Sequence, residues 1–253
     1  MITIYKEDEI QALREGGKRL AQVLAAVRDA VCPGISTKEL DTLAERLIRE
    51  GGDDPAFLNY IPDGAGYPFP ATLCVSVNNE IVHGIPDAKR VLKEGDIIGI
   101  DLGLKHKGLF VDAAMTVPVG VVDEKSRDLI AVTEESLTKA IEVVRPDGRV
   151  SDIGNAIGSF VGSRYGIVRE LGGHGVGHHV HEEPYIPNFT QKTPGTKLRS
   201  GMVIAIEPML NEGTRSIILD RDGYTFKTAD GKRSAHFEHT VLVTEDGHEV
   251  LTA

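Results

Sequence analysis

The sequence predicts an α+β protein built from two related halves, each with a pair of helices followed by strands. Apolar residues recur every three or four positions over residues 7–31 and 124–144, which predicts two long helices. A shorter helix follows each of them, beginning near Ser36 and near Ser151. Extended apolar runs come after each helix pair and predict strands. This order favours two related α+β halves packed about one interface.

The elements of the first half have clear boundaries. Cys32-Pro33-Gly34 ends the first helix. Ser36 and Glu39 form the pattern of a capping box at the start of the second helix. The segment 53–70 is rich in proline, glycine and aspartate, which predicts a loop. Strands are predicted next, near residues 72–78, 97–104 and 109–117.

The second half repeats this order after its two helices. Residues 178–187 are polar and contain prolines, so we expect an irregular segment there. Strands are predicted near residues 168–173, 202–207, 216–220, 236–243 and 248–251. At a constant offset, Leu40 pairs with Ile153 and Leu47 with Phe160. No linker separates the halves, so we expect a single domain over residues 1–253, with halves of roughly 1–120 and 121–253.

Composition and charge limit the classes of partner. The net charge is −10, which argues against nucleic acid or an anionic membrane as the main partner. No apolar run reaches the roughly 20 residues that span a bilayer, and the first residues do not resemble a secretory signal. Cys32 and Cys74 are expected to be small buried apolar residues rather than a disulfide, which is typical of a cytoplasmic protein.

Four carboxylates lie at the ends of apolar strands or inside them. They are Asp101, Asp112, Glu207 and Glu238. Burying a carboxylate is unfavourable unless a positive charge lies beside it, and neighbouring carboxylates repel each other. No Lys or Arg lies in the apolar runs that carry them. Divalent cations are the simplest compensation.

Two of these carboxylates are predicted to meet on one hairpin. Asp101 and Asp112 belong to strands joined by a tight turn, and strand alternation can place them on the same face. On that face their neighbours include Gly99, Gly103 and Ala114. We expect such small neighbours to leave room for an ion.

A histidine-rich segment supplies the nitrogen ligand. Glycines surround His174, which allows close approach of the backbone to a ligand. We expect His174 and His181 to face one cleft, and His178 and His179 to lie in a solvated loop. The glycines also resemble a dinucleotide-binding loop, but no helix is predicted after them.

Together these residues predict a two-metal hydrolase site. One imidazole and four carboxylates suit a pair of Mn²⁺, Fe²⁺, Co²⁺ or Zn²⁺ ions rather than a structural zinc site. Two such ions can share and activate one water molecule. The proposed ligand set is Asp101, Asp112, His174, Glu207 and Glu238.

At these motifs the chain resembles the type I methionine aminopeptidases, which have the pita-bread metallopeptidase fold. The resemblance covers nearly the whole chain and is carried by residues 79–86, 95–101, 172–184, 206–209 and 238–240. It implies an enzyme that removes the N-terminal methionine from nascent polypeptides when a small residue follows. It also implies the pita-bread (creatinase/aminopeptidase) fold, in which two pseudo-symmetric halves surround an antiparallel sheet with the helices outside it.

The resemblance assigns a role to each ligand. It implies that Asp101 binds one ion, that His174 and Glu207 bind the other, and that the remaining two carboxylates bridge both. Glu207 would also take the proton from the attacking water. His181 would stabilise the tetrahedral intermediate, and His83 would contact the peptide and help to protonate the leaving group. The free amine of the substrate would coordinate a metal.

Further residues follow from the same resemblance. Cys74, Phe69 and Tyr224 would line the pocket for the methionine side chain. A sodium or potassium ion would lie near Asn78, Glu80 and Ser234, held mostly by backbone oxygens.

The sequence departs from the family in the pocket. The segment before Cys74 reads Gly66-Tyr67-Pro68-Phe69-Pro70, so a pocket tyrosine is displaced. Val180 stands where an aromatic residue is often found, and Tyr224 stands where some members have tryptophan. These changes affect the shape of the pocket and leave the metal ligands untouched.

The spacing of the last two glutamates favours type I over type II, because type II enzymes carry a large insertion between them. We expect no zinc-finger extension, a cytoplasmic monomer, and at most transient contact with the ribosome. The alternatives are a proline-specific aminopeptidase or dipeptidase of the same fold, which usually has an additional N-terminal domain, and a non-catalytic binding protein, which typically lacks metal ligands.

Overall fold

The computed structural model describes residues 2–62 and 64–253, so Asp63 of the predicted loop 53–70 lies outside the described residues. None of the helices among the described residues is long and apolar enough to cross a membrane. The helices are α1 (Glu7–Ala30), α2 (Thr37–Glu50), α3 (Glu124–Glu142) and α4 (Val150–Val161). The strands are β1 (Asp54–Pro55), β2 (Leu73–Val77), β3 (Glu80–Val82), β4 (Ile97–His106), β5 (Leu109–Pro118), β6 (Gly166–Ile167), β7 (Gly173–Gly175), β8 (Glu182–Ile186), β9 (Val203–Ile206), β10 (Met209–Asn211), β11 (Ile217–Leu219), β12 (Phe226–Thr228), β13 (Ser234–His236), β14 (Glu238–Val243) and β15 (His248–Val250).

A nine-stranded antiparallel sheet organises the molecule. Its central order is β1-β4-β5-β14-β9-β7-β8, with β2 also paired to β4 and β15 to β14. Two three-stranded sheets, β13-β10-β6 and β11-β12-β3, lie beside it. The predicted α+β class with an antiparallel sheet is therefore confirmed.

Each helix pair covers its own part of the large sheet. Residues of α1 and α2 pack with β2, β4 and β5 in one hydrophobic core, and residues of α3 and α4 pack with β9 and β14 in another. Ile100 and Leu102 of β4 point into the first core, so Asp101 between them points to the opposite face. The helices thus cover one face of this hairpin, and its carboxylates lie on the other.

Helix starts agree with the sequence signals. The Ser36 hydroxyl accepts a hydrogen bond from Glu39 N at 3.3 Å, and the Glu39 carboxylate accepts one from Ser36 N at 2.8 Å. This reciprocal capping box begins α2 as predicted. At α3, Asp123 accepts a hydrogen bond from Ser126 N at 2.8 Å. Both caps satisfy backbone donors that a helix leaves unpaired.

Three predicted segments differ from the structure. The strand predicted over 168–173 begins only at Gly173, and the preceding Leu171 and Gly172 lie outside any strand and line a cavity instead. The strand predicted over 236–243 is interrupted at Phe237, where the chain passes from a small sheet into the large one. The polar segment 178–187 contains the edge strand β8, which polar residues can form because one side faces solvent.

The cysteine prediction is half right. Cys74 is buried, but Cys32 is exposed, because it lies in the turn that follows α1 rather than inside the helix interface. Both thiols are free.

Gly17 lets α1 lie directly on the C-terminal segment. A Cβ atom at this position would lie 2.1 Å from the backbone oxygen of Leu251. We predict that Gly17→Ala destabilises the fold by about 2 kcal/mol through this overpacking. Alanine in an unconstrained helix would instead stabilise by about 1 kcal/mol. Urea unfolding of both proteins measures the difference. The neighbouring exposed variant Lys18→Ala is the control, and a stabilised Gly17→Ala protein would contradict the prediction.

Candidate metal centre

Five neighbouring strands of the large sheet each bring one ligand-type side chain to the same place. Asp101 lies in β4, Asp112 in β5 and Glu238 at the start of β14. Glu207 directly follows β9, and His174 is the middle residue of β7. Because β4, β5, β14, β9 and β7 are consecutive in the sheet, these five side chains converge without help from any loop.

The strand register explains the convergence. Ala114 of β5 pairs with Asp101 on one side and with Glu238 on the other. Asp112 lies two residues before Ala114 and therefore points to the same face. His239 pairs with Ile206, which places Glu207 beside Glu238 at the end of β9. A row of acidic side chains thus crosses the sheet around one small alanine.

The nitrogen and oxygen atoms are close enough to share a cation. Asp112, His174 and Glu238 each offer a ligand atom within 4.8 Å of the others. The Nε2 atom of His174 lies 3.6 Å from a carboxylate oxygen of Glu207. Nδ1 of His174 lies 2.9 Å from the backbone oxygen of Gly175. A proton on Nδ1 would be donated to that carbonyl, which leaves the Nε2 lone pair for an ion.

Burial without compensation raises the pKa of every carboxylate in this group. Desolvation raises the pKa of Asp101 to about 7. Desolvation, and then the charge of Asp101, raise the pKa of Glu207 to about 8. Burial and the neighbouring carboxylates raise the pKa values of Asp112 and Glu238 well above the ordinary range. Among residues 2–62 and 64–253, no Lys or Arg forms an ion pair with any of the five residues.

These properties fit divalent cations. Oδ1 of Asp101 and Oδ1 of Asp112 are buried and have no hydrogen-bond partner in the described part of the chain. Burial lowers the pKa of His174 to about 3, so its imidazole is neutral at pH 7, the form that binds metals. Unpaired buried oxygens beside a neutral imidazole are what an oxygen-rich metal site requires when no cation is bound.

The five residues lie in a cavity of about 310 Å³. Every residue that the sequence analysis placed in the catalytic, metal or pocket groups lines it. These residues are Phe69, Cys74, His83, Asp101, Asp112, His174, His181, Glu207, Tyr224 and Glu238. The structure therefore brings the sequence-predicted set together in one place.

An apolar cluster forms one side of this cavity. Phe57, Phe69, Cys74, Val180 and Tyr224 are buried and belong to one cluster. The Tyr224 ring meets the Phe69 ring edge-on, with 5.2 Å between the ring centroids. Val180 belongs to this cluster but does not line the cavity. The cavity thus joins this apolar wall to an acidic floor formed by Asp101, Asp112, Glu207 and Glu238.

The expectation that Gly103 leaves room for an ion is wrong. A Cβ atom at Gly103 would lie 2.7 Å from the Phe57 ring and 2.8 Å from Cβ of Ala56. The missing side chain therefore makes room for the apolar wall. A glycine inside an apolar strand signals such a close approach, but it does not identify the residue that approaches.

Two histidines lie over the acidic floor. The His181 ring is edge-on to the His174 ring, with 4.5 Å between the centroids. Nδ1 of His181 lies 2.9 Å from the hydroxyl of Tyr60. His83 has a φ of 60°, a left-handed conformation that non-glycine residues rarely adopt, and its ring contacts the Phe226 ring edge-on. Burial lowers the pKa of His83 to about 4.

Tyr60 and His236 were missed by the sequence analysis. Tyr60 lies in the loop 53–70, whose composition gave no reason to select it. His236 is 3% exposed, and its Nε2 atom, which has no hydrogen-bond partner among the described residues, lies 3.7 Å from a Glu207 oxygen. Its position two residues before Glu238 was the available signal, because alternate strand residues share a face.

The residues predicted near a monovalent cation lie together at one edge of the small sheets. Ser234 N donates to the backbone oxygen of Asn78 at 2.9 Å. The Glu80 carboxylate is paired with Arg90 at 2.6 Å and lies 3.7 Å from Lys227. Two cationic side chains therefore already engage the Glu80 carboxylate.

The sequence matches a family model over residues 11–245, that of metallopeptidase family M24. It is 45% identical over 253 residues to methionine aminopeptidase 1 of Bacillus subtilis, covering 100% of this chain and 99% of that protein. It is 43% identical to a methionine aminopeptidase of Aquifex aeolicus, covering 99% of this chain and 98% of that one.

Solved structures are similar over the same length. The methionine aminopeptidase of Rickettsia prowazekii is 39% identical, with a TM-score of 0.95 and 100% of both chains covered. A prolidase of Pyrococcus horikoshii is 23% identical, with a TM-score of 0.75, and the match covers 99% of this chain but 63% of that one. The second likeness shows the shared pita-bread fold alone.

The raised carboxylate pKa values predict how stability depends on pH and metal. In the unfolded chain these carboxyl groups ionise near pH 4. In the metal-free fold, Asp101 ionises near pH 7 and Glu207 near pH 8. Protonation of these groups therefore contributes its full stabilisation to the fold below about pH 4. This contribution is lost as the pH rises through about 7 to 8. We predict that, in the presence of a chelator, the melting temperature decreases as the pH is raised from about 7 to 8.5. His83 and His174, with pKa values of about 4 and 3, titrate below this range.

Added Mn²⁺ should raise the melting temperature, and it should do so more at the higher pH, where the ligands lose fewer protons on binding. Thermal melts in chelator and in Mn²⁺ measure both effects. In Asp112→Ala the response to Mn²⁺ should be much smaller. A melting temperature that rises with pH in chelator, or a variant that responds like wild type, would contradict this assignment.

Proposed function

The chain belongs to metallopeptidase family M24, and we propose that it is a two-metal aminopeptidase that removes the N-terminal methionine from peptides and nascent proteins. One observation carries the proposal: five ligand-type side chains and an apolar wall share a cavity of about 310 Å³. Relatives that are 39–45% identical over their full length and are named methionine aminopeptidase support the same conclusion.

The ligands divide between two ions in this proposal. Asp101 would bind one ion, His174 and Glu207 the other, and Asp112 and Glu238 both. When bound, the ions would lower the pKa of a water molecule, polarise the scissile carbonyl and accept the free amine of the substrate. Co²⁺, Mn²⁺, Fe²⁺ and Zn²⁺ all suit this donor set.

Glu207 is the proposed proton acceptor for the attacking water. Its carboxylate lies at the cavity surface, 3.6 Å from His174 and 3.7 Å from His236. Asn188 donates a hydrogen bond to its backbone oxygen at 2.9 Å, which fixes the chain directly after β9. A fixed carboxylate between two neutral imidazoles can take a proton and later release it to the leaving amine.

His181 and His83 are proposed to act on the scissile peptide. The Tyr60 hydroxyl at Nδ1 fixes the orientation of the His181 ring, so Nε2 is the nitrogen that would donate to the developing oxyanion. His83 is buried beside the same cavity, and its lowered pKa keeps it neutral at pH 7. A neutral imidazole there would contact the peptide nitrogen and help the proton that Glu207 has taken from the water to reach it.

The apolar wall is proposed to select methionine. Phe69, Cys74 and Tyr224 would enclose its side chain, together with Phe57. A thioether packs well against aromatic rings, which favours methionine over a polar side chain. The acidic floor lies beside this wall, so the side chain would enter the wall while the amine reaches the floor.

The remaining assignments are also proposals. We propose a sodium or potassium site formed by backbone oxygens of Asn78, Glu80 and Ser234, in agreement with the engaged Glu80 carboxylate. We propose one catalytic domain over residues 1–253, with halves of roughly 1–120 and 121–253, that acts as a cytoplasmic monomer. Two free thiols support a reducing compartment, and a net charge of −10 favours at most transient contact with the ribosome.

Peptide cleavage tests the proposed function directly. Purified protein with Mn²⁺ or Co²⁺ should release methionine from Met-Ala-Ser and leave Ala-Pro-Ala intact. Chelation should abolish release, and restored metal should recover it, because the carboxylates alone cannot polarise the carbonyl. Cleavage of Ala-Pro-Ala in preference to Met-Ala-Ser would replace this proposal with a proline-specific peptidase. No turnover of either peptide at full metal occupancy would indicate a binding protein.

Two variants separate metal binding from transition-state stabilisation. Asp112→Ala should lose metal and activity together, because it removes a bridging ligand. His181→Ala should keep its metal but lower kcat by about 10²- to 10³-fold, the usual effect of removing one oxyanion donor. Metal content by elemental analysis and kcat on Met-Ala-Ser measure both. Metal loss in His181→Ala, or full activity in Asp112→Ala, would contradict the assigned roles.

A further inference from the structure

His181 lies on a segment that has little backbone support. Residues 176–181 connect β7 to β8 and contain neither helix nor strand. Among the described residues, three main-chain hydrogen bonds hold this segment: Val176 N to Val203 O, Phe110 N to Gly177 O, and Gly177 N to His179 O. None of these bonds involves His181 or Val180. The position of the His181 ring therefore depends on side-chain contacts.

Tyr5, near the N-terminus, supplies such contacts. It is 4% exposed, and its hydroxyl accepts a hydrogen bond from His178 N at 3.0 Å. The same hydroxyl donates to the carboxylate of Glu182, with oxygen distances of 3.1 and 3.3 Å. Burial, more than any other factor, raises the pKa of Tyr5, so the phenol stays protonated and can donate.

Gly177 makes the room that the Tyr5 hydroxyl occupies. A Cβ atom at Gly177 would lie 2.1 Å from the hydroxyl oxygen. Gly177 also has a φ of 150°, a backbone conformation that residues other than glycine rarely adopt. The Tyr5 ring also packs on the His178 ring, with 5.0 Å between the centroids. The loop is thus shaped around Tyr5.

Glu182 connects this contact to the residue beside it, His181. Its carboxylate accepts hydrogen bonds from His179 N at 2.8 Å and from the Thr3 hydroxyl at 2.8 Å, in addition to those from Tyr5. The Glu182 carboxylate therefore binds the loop at His179, before His181, while the Glu182 backbone directly follows His181. Fixing the Glu182 side chain restricts both ends of the short stretch that carries the histidine.

The N-terminal segment is itself anchored to the body of the protein. Tyr5 N donates to the backbone oxygen of Gly201 at 2.8 Å, and α1 begins two residues later. Glu9 in the first turn of α1 lies 2.8 Å from Nε2 of His178. Since α1 packs on β4 and β5, the segment is a rigid support for the loop.

We propose that Tyr5 is a positioning residue for the peptidase reaction, which acts through Glu182 to hold His181 over the cavity. This inference rests on the proposed function, because it assumes that His181 acts on the substrate. Tyr5 itself does not line the cavity. Its loss is therefore expected to affect the reaction only through Glu182, which lines the cavity, and through the loop that Glu182 holds.

The test is Tyr5→Phe, alone and combined with His181→Ala. The single variant keeps the buried ring and loses the hydroxyl, so kcat on Met-Ala-Ser should fall about tenfold while KM and metal content change little. In the His181→Ala background the same substitution should cause no further fall, because the residue it positions is absent. A purely structural role would reduce activity equally in both backgrounds.

Two further variants keep the test decisive. Tyr165→Phe is the matched control, because its hydroxyl donates to Asp128 outside the cavity, and it should retain wild-type kcat. If Tyr5→Phe unfolds, Thr3→Val removes one hydrogen bond to Glu182 and should show a smaller fall that is again absent without His181. Wild-type kcat in Tyr5→Phe or Thr3→Val, or equal falls in both backgrounds, would overturn the inference.

The failure of this inference can be distinguished from failure of the proposed function. Wild-type protein that cleaves Met-Ala-Ser, with a defective His181→Ala variant and an unaffected Tyr5→Phe variant, would remove the positioning role alone. Wild-type protein that does not cleave the peptide would remove the proposed function and this inference with it.

Discussion

The repulsion and desolvation of four carboxylates is the constraint on which the rest of this structure depends. Asp101, Asp112, Glu207 and Glu238 are held side by side by the hydrogen-bond ladder of one sheet, and none has a Lys or Arg partner among the described residues. Backbone pairing leaves them no freedom to separate. The fold therefore carries an electrostatic penalty that only protons or cations can remove. The raised pKa values of Asp101 and Glu207 mean that, without metal, these groups retain protons near neutral pH until cations replace them.

The floor and the walls of the cavity have different origins. The acidic floor is formed by consecutive strands of the large sheet. Helices pack against these strands in two hydrophobic cores, so the geometry of the floor is rigid. The apolar wall and the histidine above the floor come from connecting segments, such as the loop with Phe57 and Tyr60 and the loop with Val180 and His181. A rigid metal platform with loop-built specificity is a common way to place a site on a fold. It explains why the loops need additional supports such as Tyr5.

The sequence predicted the floor better than the walls. Strand periodicity placed Asp101 and Asp112 on one face, and apolar runs identified the strands that end in Glu207 and begin with Glu238. Local patterns could not predict that Gly103 makes room for Phe57, because that contact joins segments distant in sequence. The edge strand β8 was missed since its polar residues face solvent, and the break at Phe237 follows from a change of sheet that periodicity cannot reveal.

Proton release on metal binding tests the central claim most directly. Calorimetric titration of chelator-treated protein with Mn²⁺ at about pH 7, in buffers of different ionisation enthalpy, measures both the number of ions and the protons displaced. The account predicts two ions per chain and a net release of protons, because the buried carboxylates hold protons until cations replace them. Binding of two ions without proton release, or no stoichiometric binding, would contradict it.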